Sequence, residues 1–286
     1  MVVSIETLPP LPLPRQVLIV TPDHFDVVYV INPHMEGHLG QVDPKRARAQ
    51  WEALRQTYQQ LGFKVHTLEG VPQLPDMVFC ANQTFVGLDA AELRVCLLSR
   101  MTHASRQREV PAFARWFEAA GYQVSEAPGY LRFEGSGDAI WHPGRGLVWG
   151  GHGYRSEPGI YETVSDVFGV PVLRLRLLSD TFYHLDTCFC AIDERTVLID
   201  PTALAPESLA LVRHVFADVI ECPPDEARRG MACNATALGG RHVVIQQGNL
   251  RTVASLRQRG LEVHEVETGQ FLKSGGSVFC LKMYVF

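Results

Sequence analysis

The chain has 286 residues, of which 46% are hydrophobic, and a formal net charge of -5 with both signs spread along its length. That composition is enough for a substantial core and excludes a disordered chain, while the lack of a basic stripe or polybasic arm argues against nucleic acid and anionic membranes as partners. No stretch approaches the roughly 18 to 20 consecutive apolar residues of a membrane-crossing helix, so small molecules are the expected partners.

The opening residues, with prolines at 9, 10, 12 and 14, read as an extended arm over 1–15 without the features of a secretory leader. Residues 16–286 show no obvious linker and read as one domain. Apolar, β-branched runs predict strands at 16–20, 77–80, 95–98, 146–149, 196–199 and 242–245. Helical patterns run over 44–61, 111–120, 161–168, 206–216 and 252–259, several opened by Pro and closed by Gly. Three helices share one exit: Leu61-Gly62-Phe63-Lys64-Val65, Ala120-Gly121-Tyr122-Gln123-Val124 and Arg259-Gly260-Leu261-Glu262-Val263. Glycine just past a helix supplies a left-handed cap, and the residues after it enter a strand. A repeated strand, helix, strand unit follows, with five units of roughly 50 to 55 residues. A doubly wound sheet has similar punctuation, but no G-x-G-x-x-G follows the first strand, and a closed ring of repeats fits better. Seven cysteines, odd in number and scattered through apolar runs, point to reduced thiols and a cytoplasmic protein.

Cys280 ends the run Ser274-Gly275-Gly276-Ser277-Val278-Phe279-Cys280. A cysteine in such a run is by default a buried structural thiol. The glycine pair shifts that reading toward a nucleophile, because it permits close backbone approach and can offer N–H groups to developing charge. The thiolate then needs a cationic neighbour. In His184-Leu185-Asp186, spacing by two on a strand would put an imidazole for proton transfer and a carboxylate for a cation on one face. Cys188 and Cys190 continue that face, but no second ligand pair at zinc-site spacing accompanies them, and no metal site is expected. Glu134-Gly135-Ser136-Gly137-Asp138 is either a polar turn or a strand entrance aiming a carboxylate at a cavity. Asn32 and Asn82 stand at strand ends. Arg100 and Arg155 are candidate clamps for a substrate carboxylate, which a guanidinium fork matches in two bonds.

Taken in order, Asn32-Pro33, Pro75-Asp76-Met77-Val78-Phe79 leading to Ala81-Asn82, Leu98-Ser99-Arg100, Phe133-Glu134-Gly135-Ser136-Gly137-Asp138-Ala139, Gly153-Tyr154-Arg155-Ser156, His184 through Cys190, Cys233-Asn234-Ala235 and Gly275-Gly276 before Cys280 resemble the amidinotransferase, or pentein, superfamily. They are most similar to its arginine dihydrolase branch, and they cover nearly the whole chain after the arm. The resemblance implies a five-bladed, pseudo-symmetric α/β propeller with the site on its axis. It makes Cys280 the nucleophile, His184 the general acid and base, and Glu134 and Asp186 the carboxylates that bind a guanidinium. Asn82 stands where deiminases of the superfamily usually carry an acid, and Ala81-Asn82-Gln83-Thr84 departs from the Ala-Asn-Ala-Gly of the dihydrolase branch. The implied activity is a hydrolase that converts arginine to ornithine, ammonia and carbon dioxide through a covalent cysteine adduct, with no metal or organic cofactor. A deiminase, a dimethylarginine hydrolase, an amidinotransferase and, from another class, a non-catalytic propeller module are the alternatives. The implied partner is a guanidino substrate, with homo-oligomer formation left open.

Overall fold

The computed structural model describes residues 5–286, so the first four residues of the arm lie outside the described part. Fifteen strands form five three-stranded sheets. The first sheet places β1 (Gln16–Val20) parallel to β2 (Lys64–Leu68). The second contains β3 (Thr84–Leu88), β4 (Arg94–Leu98) and β5 (Gln123–Glu126). The third has β6 (Ala139–Trp141), β7 (Val148–His152) and β8 (Val172–Arg176). The fourth has β9 (Phe189–Ala191), β10 (Thr196–Ile199) and β11 (Asp218–Glu221). The fifth has β12 (Thr236–Leu238), β13 (His242–Gln246) and β14 (Glu262–Val266).

Each of these later sheets has an inner strand antiparallel to the middle one and an outer strand parallel to it. A parallel neighbour needs a crossover, which a helix provides every time: Pro44–Gln60, Val110–Ala119, Ile160–Phe168, Pro206–Val215 and Leu250–Gln258. The middle strands are buried almost end to end, whereas the outer strands are mostly half exposed. Continuous apolar runs therefore mark the middle strands, which are covered on both faces. The helix over Pro44–Gln60 begins at Asp43, whose carboxylate accepts from the N–H groups of Lys45 and Arg46. The exit glycines Gly62, Gly121 and Gly260 have φ of 80°, 81° and 78°, the left-handed geometry that the sequence called for.

The ring closes through the two ends of the chain. β15 (Met283–Val285) pairs antiparallel with β1 and so becomes the inner strand of the first sheet. Phe85, Ile140, Ala191, Ala237 and Tyr284, one from each inner strand, line a common cavity on the axis. The architecture is the five-bladed α/β propeller that the resemblance implied. The arm lies against this end of the axis: Leu11 N–H donates to the Gly144 carbonyl at 3.0 Å and Gly146 N–H to that of Pro9 at 2.8 Å.

Three expectations change. Asn32 is not at a strand end, since it caps the 3-10 turn Pro33–Met35. Residues 77–80 are not a strand; Pro75–Val78 is a buried 3-10 turn with Pro at its first position, where a missing N–H costs nothing. His184 and Asp186 are not on a strand either, since Leu185–Thr187 is a 3-10 turn with His184 as its cap.

Because β15 seals the ring, deleting residues 283–286 should lower stability strongly. Met283 and Val285 are 1% and 4% exposed, and exposing two such side chains costs about 3 kcal/mol or more. A denaturant midpoint equal to that of the full chain would refute this role for the closing strand.

Candidate active site

Cys280 lies three residues before β15, and Asn234 fixes it from the preceding blade. The Asn234 side-chain oxygen accepts from the N–H groups of Ser277 at 3.0 Å and Cys280 at 3.3 Å, and its amide nitrogen donates to the Cys280 Sγ at 3.2 Å. The thiol donates to Asp186 Oδ2 at 3.1 Å. The other oxygen, Asp186 Oδ1, is buried with no hydrogen-bond partner among the described residues. Burial pushes Asp186 up to about 7, against the opposing pull of the Cys280 thiol and Lys282. Burial, reinforced by the Asp186 charge, pushes the Cys280 thiol well above its ordinary value. A thiol so placed is held protonated in the empty site.

His184 lies between Glu134 and Asn82. Its Nε2 lies 2.6 Å from Glu134 Oε2 and its Nδ1 3.4 Å from the Asn82 amide nitrogen. The Arg106 guanidinium, a donor only, gives a hydrogen bond of 2.9 Å to Asn82 Oδ1, which fixes the amide orientation and turns its NH₂ toward the imidazole. His184 Nδ1 is thereby the acceptor, and Nε2–H donates to Glu134. Burial alone would raise the Glu134 pKa, but Arg155, His184 and Arg106 together outweigh it and hold the carboxyl well below the usual range.

Asn82, Asn32, Arg155, Asp76, Tyr183 and Cys280 line one small cavity, whose walls do not include His184 or Asp186. Asn32 caps a 3-10 turn, accepting from His34 N–H at 2.9 Å and donating to the Ser274 carbonyl at 3.1 Å. Arg155 is shared between Glu134 at 3.3 Å and the Ile31 carbonyl at 2.8 Å, with its guanidinium 4.8 Å from the Tyr183 ring centroid.

Three placements differ from the sequence expectation. Glu134 is fully engaged by protein donors, Thr102 N–H at 2.8 Å, Arg155 and His184, so it orients the histidine and does not stand free for a guanidinium. Arg100 is exposed and lines a surface hollow with Arg115 and Glu126, outside the Cys280 cavity; its backbone bridges to Phe133, and that pairing turns the side chain outward. The N–H groups of Gly275 and Gly276 are spent on the Leu272 and Phe271 carbonyls and do not face the thiol. Those glycines are required for space. A Cβ at Gly275, where φ is 82°, would come within 2.9 Å of Asn32 Oδ1, and one at Gly276 within 2.3 Å of the Phe79 ring.

The profile of the family described as N,N dimethylarginine dimethylhydrolase, eukaryotic, matches residues 34–286. The chain belongs to this family. A bifunctional arginine dihydrolase/ornithine cyclodeaminase, ArgZ, from Synechocystis is 36% identical over 278 residues, which is 94% of this chain and 37% of that protein. The N(G),N(G)-dimethylarginine dimethylaminohydrolase of Mycobacterium tuberculosis is 33% identical, covering 96% of this chain and 87% of that enzyme. The crystal structure of the product-bound N-terminal domain of ArgZ, a cyanobacterial arginine dihydrolase, matches with a TM-score of 0.88 at 34% identity, over 95% of this chain and 97% of that domain. The chain thus spans little more than a third of the bifunctional relatives it matches.

Within this family member the structure adds residues that the sequence did not single out. Asp76 accepts from Tyr29 Oη at 2.8 Å and Ser274 Oγ at 3.1 Å and brings a further carboxylate to the cavity wall. Arg106 pairs with Glu109 at 3.0 Å three residues on, across the junction between the helices Ala104–Gln107 and Val110–Ala119. Asn234 stood in a quoted motif without a role. Asp138 accepts from Ser156 Oγ at 2.6 Å and Leu185 N–H at 3.0 Å, which anchors the His184 turn.

Lys282 is the least expected. It is 1% exposed, with its ammonium 3.3 Å and 3.8 Å from the ring centroids of Phe279 and Tyr284. Burial pushes it down to about 7, only partly offset by Cys80, Asp186, Cys190 and Cys280. The unfolded chain keeps this proton up to about 10.4. It therefore binds more protons than the folded chain between the two values, and native stability should rise with pH across that window. Lys282→Met should stabilise the protein at pH 7 by more than about 1 kcal/mol and flatten that rise. Denaturant titrations at pH 7 and 9 test this, and parallel changes in the two proteins would refute it.

Proposed function

We propose that this chain hydrolyses the guanidino group of arginine in two cycles, yielding ornithine, carbon dioxide and two ammonia for two waters consumed. The observation that carries the proposal is the Asp186 carboxylate, whose Oδ2 accepts from the Cys280 thiol and whose Oδ1 is buried without a partner among the described residues, a site for a planar cation next to a nucleophile. Asp76 adds negative charge on the cavity wall. A guanidinium held there lowers the cost of ionising Cys280, the thiol proton passes to His184 Nδ1, and the thiolate then adds to the central carbon. His184, held by Glu134, protonates the departing ammonia and then takes a proton from the water that displaces the sulfur, leaving a ureido product. The neutral Asn82 leaves that uncharged ureido group bound, and a repeat of addition, ammonia loss and hydrolysis gives a carbamate that falls to carbon dioxide and ornithine. The similarity to ArgZ, an arginine dihydrolase, supports this assignment. Seven unpaired, buried cysteines support a reducing, cytoplasmic setting.

Incubation with arginine should give two ammonia per ornithine without citrulline build-up, and Cys280→Ala should give neither. Asn82→Asp should stop at citrulline, because a carboxylate beside His184 and Arg106 disfavours the uncharged ureido group. Citrulline as the end product of the unmodified protein would make it a deiminase. Demethylation of dimethylarginine with no action on arginine would shift the assignment to the activity of the mycobacterial relative.

Arg155 and Asn32, on the cavity wall, are proposed to receive the α-carboxylate. Agmatine, which lacks that group, should then be turned over at least tenfold more slowly than arginine, the loss of about 1.4 kcal/mol of transition-state binding. Equal kcat/KM for the two substrates would remove this role.

A further inference from the structure

Away from the axis, β13 and β14 bring together His242, Glu262 and His264. Their parallel register sets His242 opposite Glu262 and Val244 opposite His264, so all three side chains stand on one face of the fifth sheet. His242 Nδ1 lies 3.1 Å from His264 Nε2 and 3.2 Å from Glu262 Oε2. The three ligand atoms all fall within 4.8 Å of one another. Arg241 Nε donates to the opposite oxygen, Glu262 Oε1, at 2.7 Å, which fixes the carboxylate with Oε2 turned toward the imidazoles. The strand ladder holds the backbones and Arg241 holds the carboxylate, so the cluster is set in place before any ligand binds.

These spacings are those of metal ligands. Zinc takes imidazole nitrogen at about 2.0 to 2.1 Å and carboxylate oxygen at about 2.0 to 2.2 Å. Two nitrogens on one such ion, at an angle between a right angle and the tetrahedral one, stand about 3.0 to 3.4 Å apart. The His242 and Glu262 side chains are 27% and 43% exposed, which leaves an open side for entry and for a water ligand.

We propose that His242, His264 and Glu262 bind one divalent transition-metal ion of the zinc type, on the middle and outer strands of the fifth sheet and apart from the Cys280 cavity. The ion would tie the outer strand β14 to the buried β13. It takes no part in the chemistry at Cys280.

The test uses Cys280→Ala protein freed of metal with a chelator, so that the site thiol cannot compete for soft ions. Zinc titration by calorimetry should show one ion per chain and a raised melting temperature. Binding should be at least about tenfold weaker in His264→Ala and absent in the His242→Ala, His264→Ala double variant. Copper(II) added to the same protein should give an electron paramagnetic resonance signal split by two imidazole nitrogens. The side chains are partly exposed, so the variants should melt normally without metal, and His264→Ala with Cys280 intact should keep unmodified turnover of arginine. Zinc binding unchanged in the double variant, or a copper signal without two imidazole nitrogens, would overturn the assignment, as would no binding at all.

Discussion

Burying ionised groups on the axis of the ring is the constraint that organises this molecule. Glu134 has no exposed surface, and a lone carboxylate there would cost many kcal/mol. It is held by donors from separate parts of the chain: Thr102 N–H after β4, Arg155 after β7, and His184 before β9. Cys280 and Asp186 are likewise held by Asn234, just before β12. Only when the blades are assembled are these partners present. Closure by β15 is therefore also assembly of the site, because the strand that seals the ring begins three residues after Cys280.

The same constraint decides what each carboxylate does. Glu134 has its charge satisfied by protein donors and serves to fix the tautomer of His184. Asp186 has one oxygen on the thiol and one without a partner among the described residues, so burial disfavours its charge in the empty site. Two carboxylates on one axis thus differ in the number of donors aimed at each, which in the proposed reaction makes one an orienting group and the other a receiving group. Lys282 sits behind them, its ammonium lying over aromatic faces without an ion-paired carboxylate among the described residues. Such a contact is worth about 2 kcal/mol or more when desolvated, which is less than the cost of burying an isolated charge and explains why this lysine holds its proton weakly.

The fold was largely legible because its punctuation is local. All five crossover helices lie within two residues of their expected ends, and the three glycine exits lead into outer strands β2, β5 and β14. These features depend on caps, period and left-handed glycines, which a single chain carries on its own. The residues at 77–80 failed because a short apolar run does not separate a buried strand from a buried turn. Pro75 was the available sign of the latter. At the site, Cys280, His184, Asp186 and Asn82 could be named from their motifs, but their pairings could not. Arg106 and Lys282 look like surface cations in sequence, and only the assembled ring shows that both are buried. Arg100 fails in the opposite sense. Its motif was visible, while its outward direction is set by a backbone bridge to Phe133 that no local pattern encodes.

Asn82 is where these arguments meet. Its oxygen takes one of the donors of Arg106 and its nitrogen faces His184, so its amide dipole is oriented before substrate enters. A carboxylate in its place would draw the Arg106 cation more strongly and would favour the protonated form of His184, the acid needed to expel ammonia from a charged guanidinium. It would also penalise an uncharged ligand, which offers no positive charge to offset the desolvation of the added acid. A neutral amide imposes neither bias. In the proposed reaction the site holds a guanidinium, through Asp186 and Asp76, and a ureido group, through hydrogen bonds alone. Because Arg106 is itself neutralised by Glu109 at 3.0 Å, the neutrality of position 82 leaves no uncompensated cation behind. The whole Glu109, Arg106, Asn82, His184 chain can thus remain in place while the charge of the bound ligand changes.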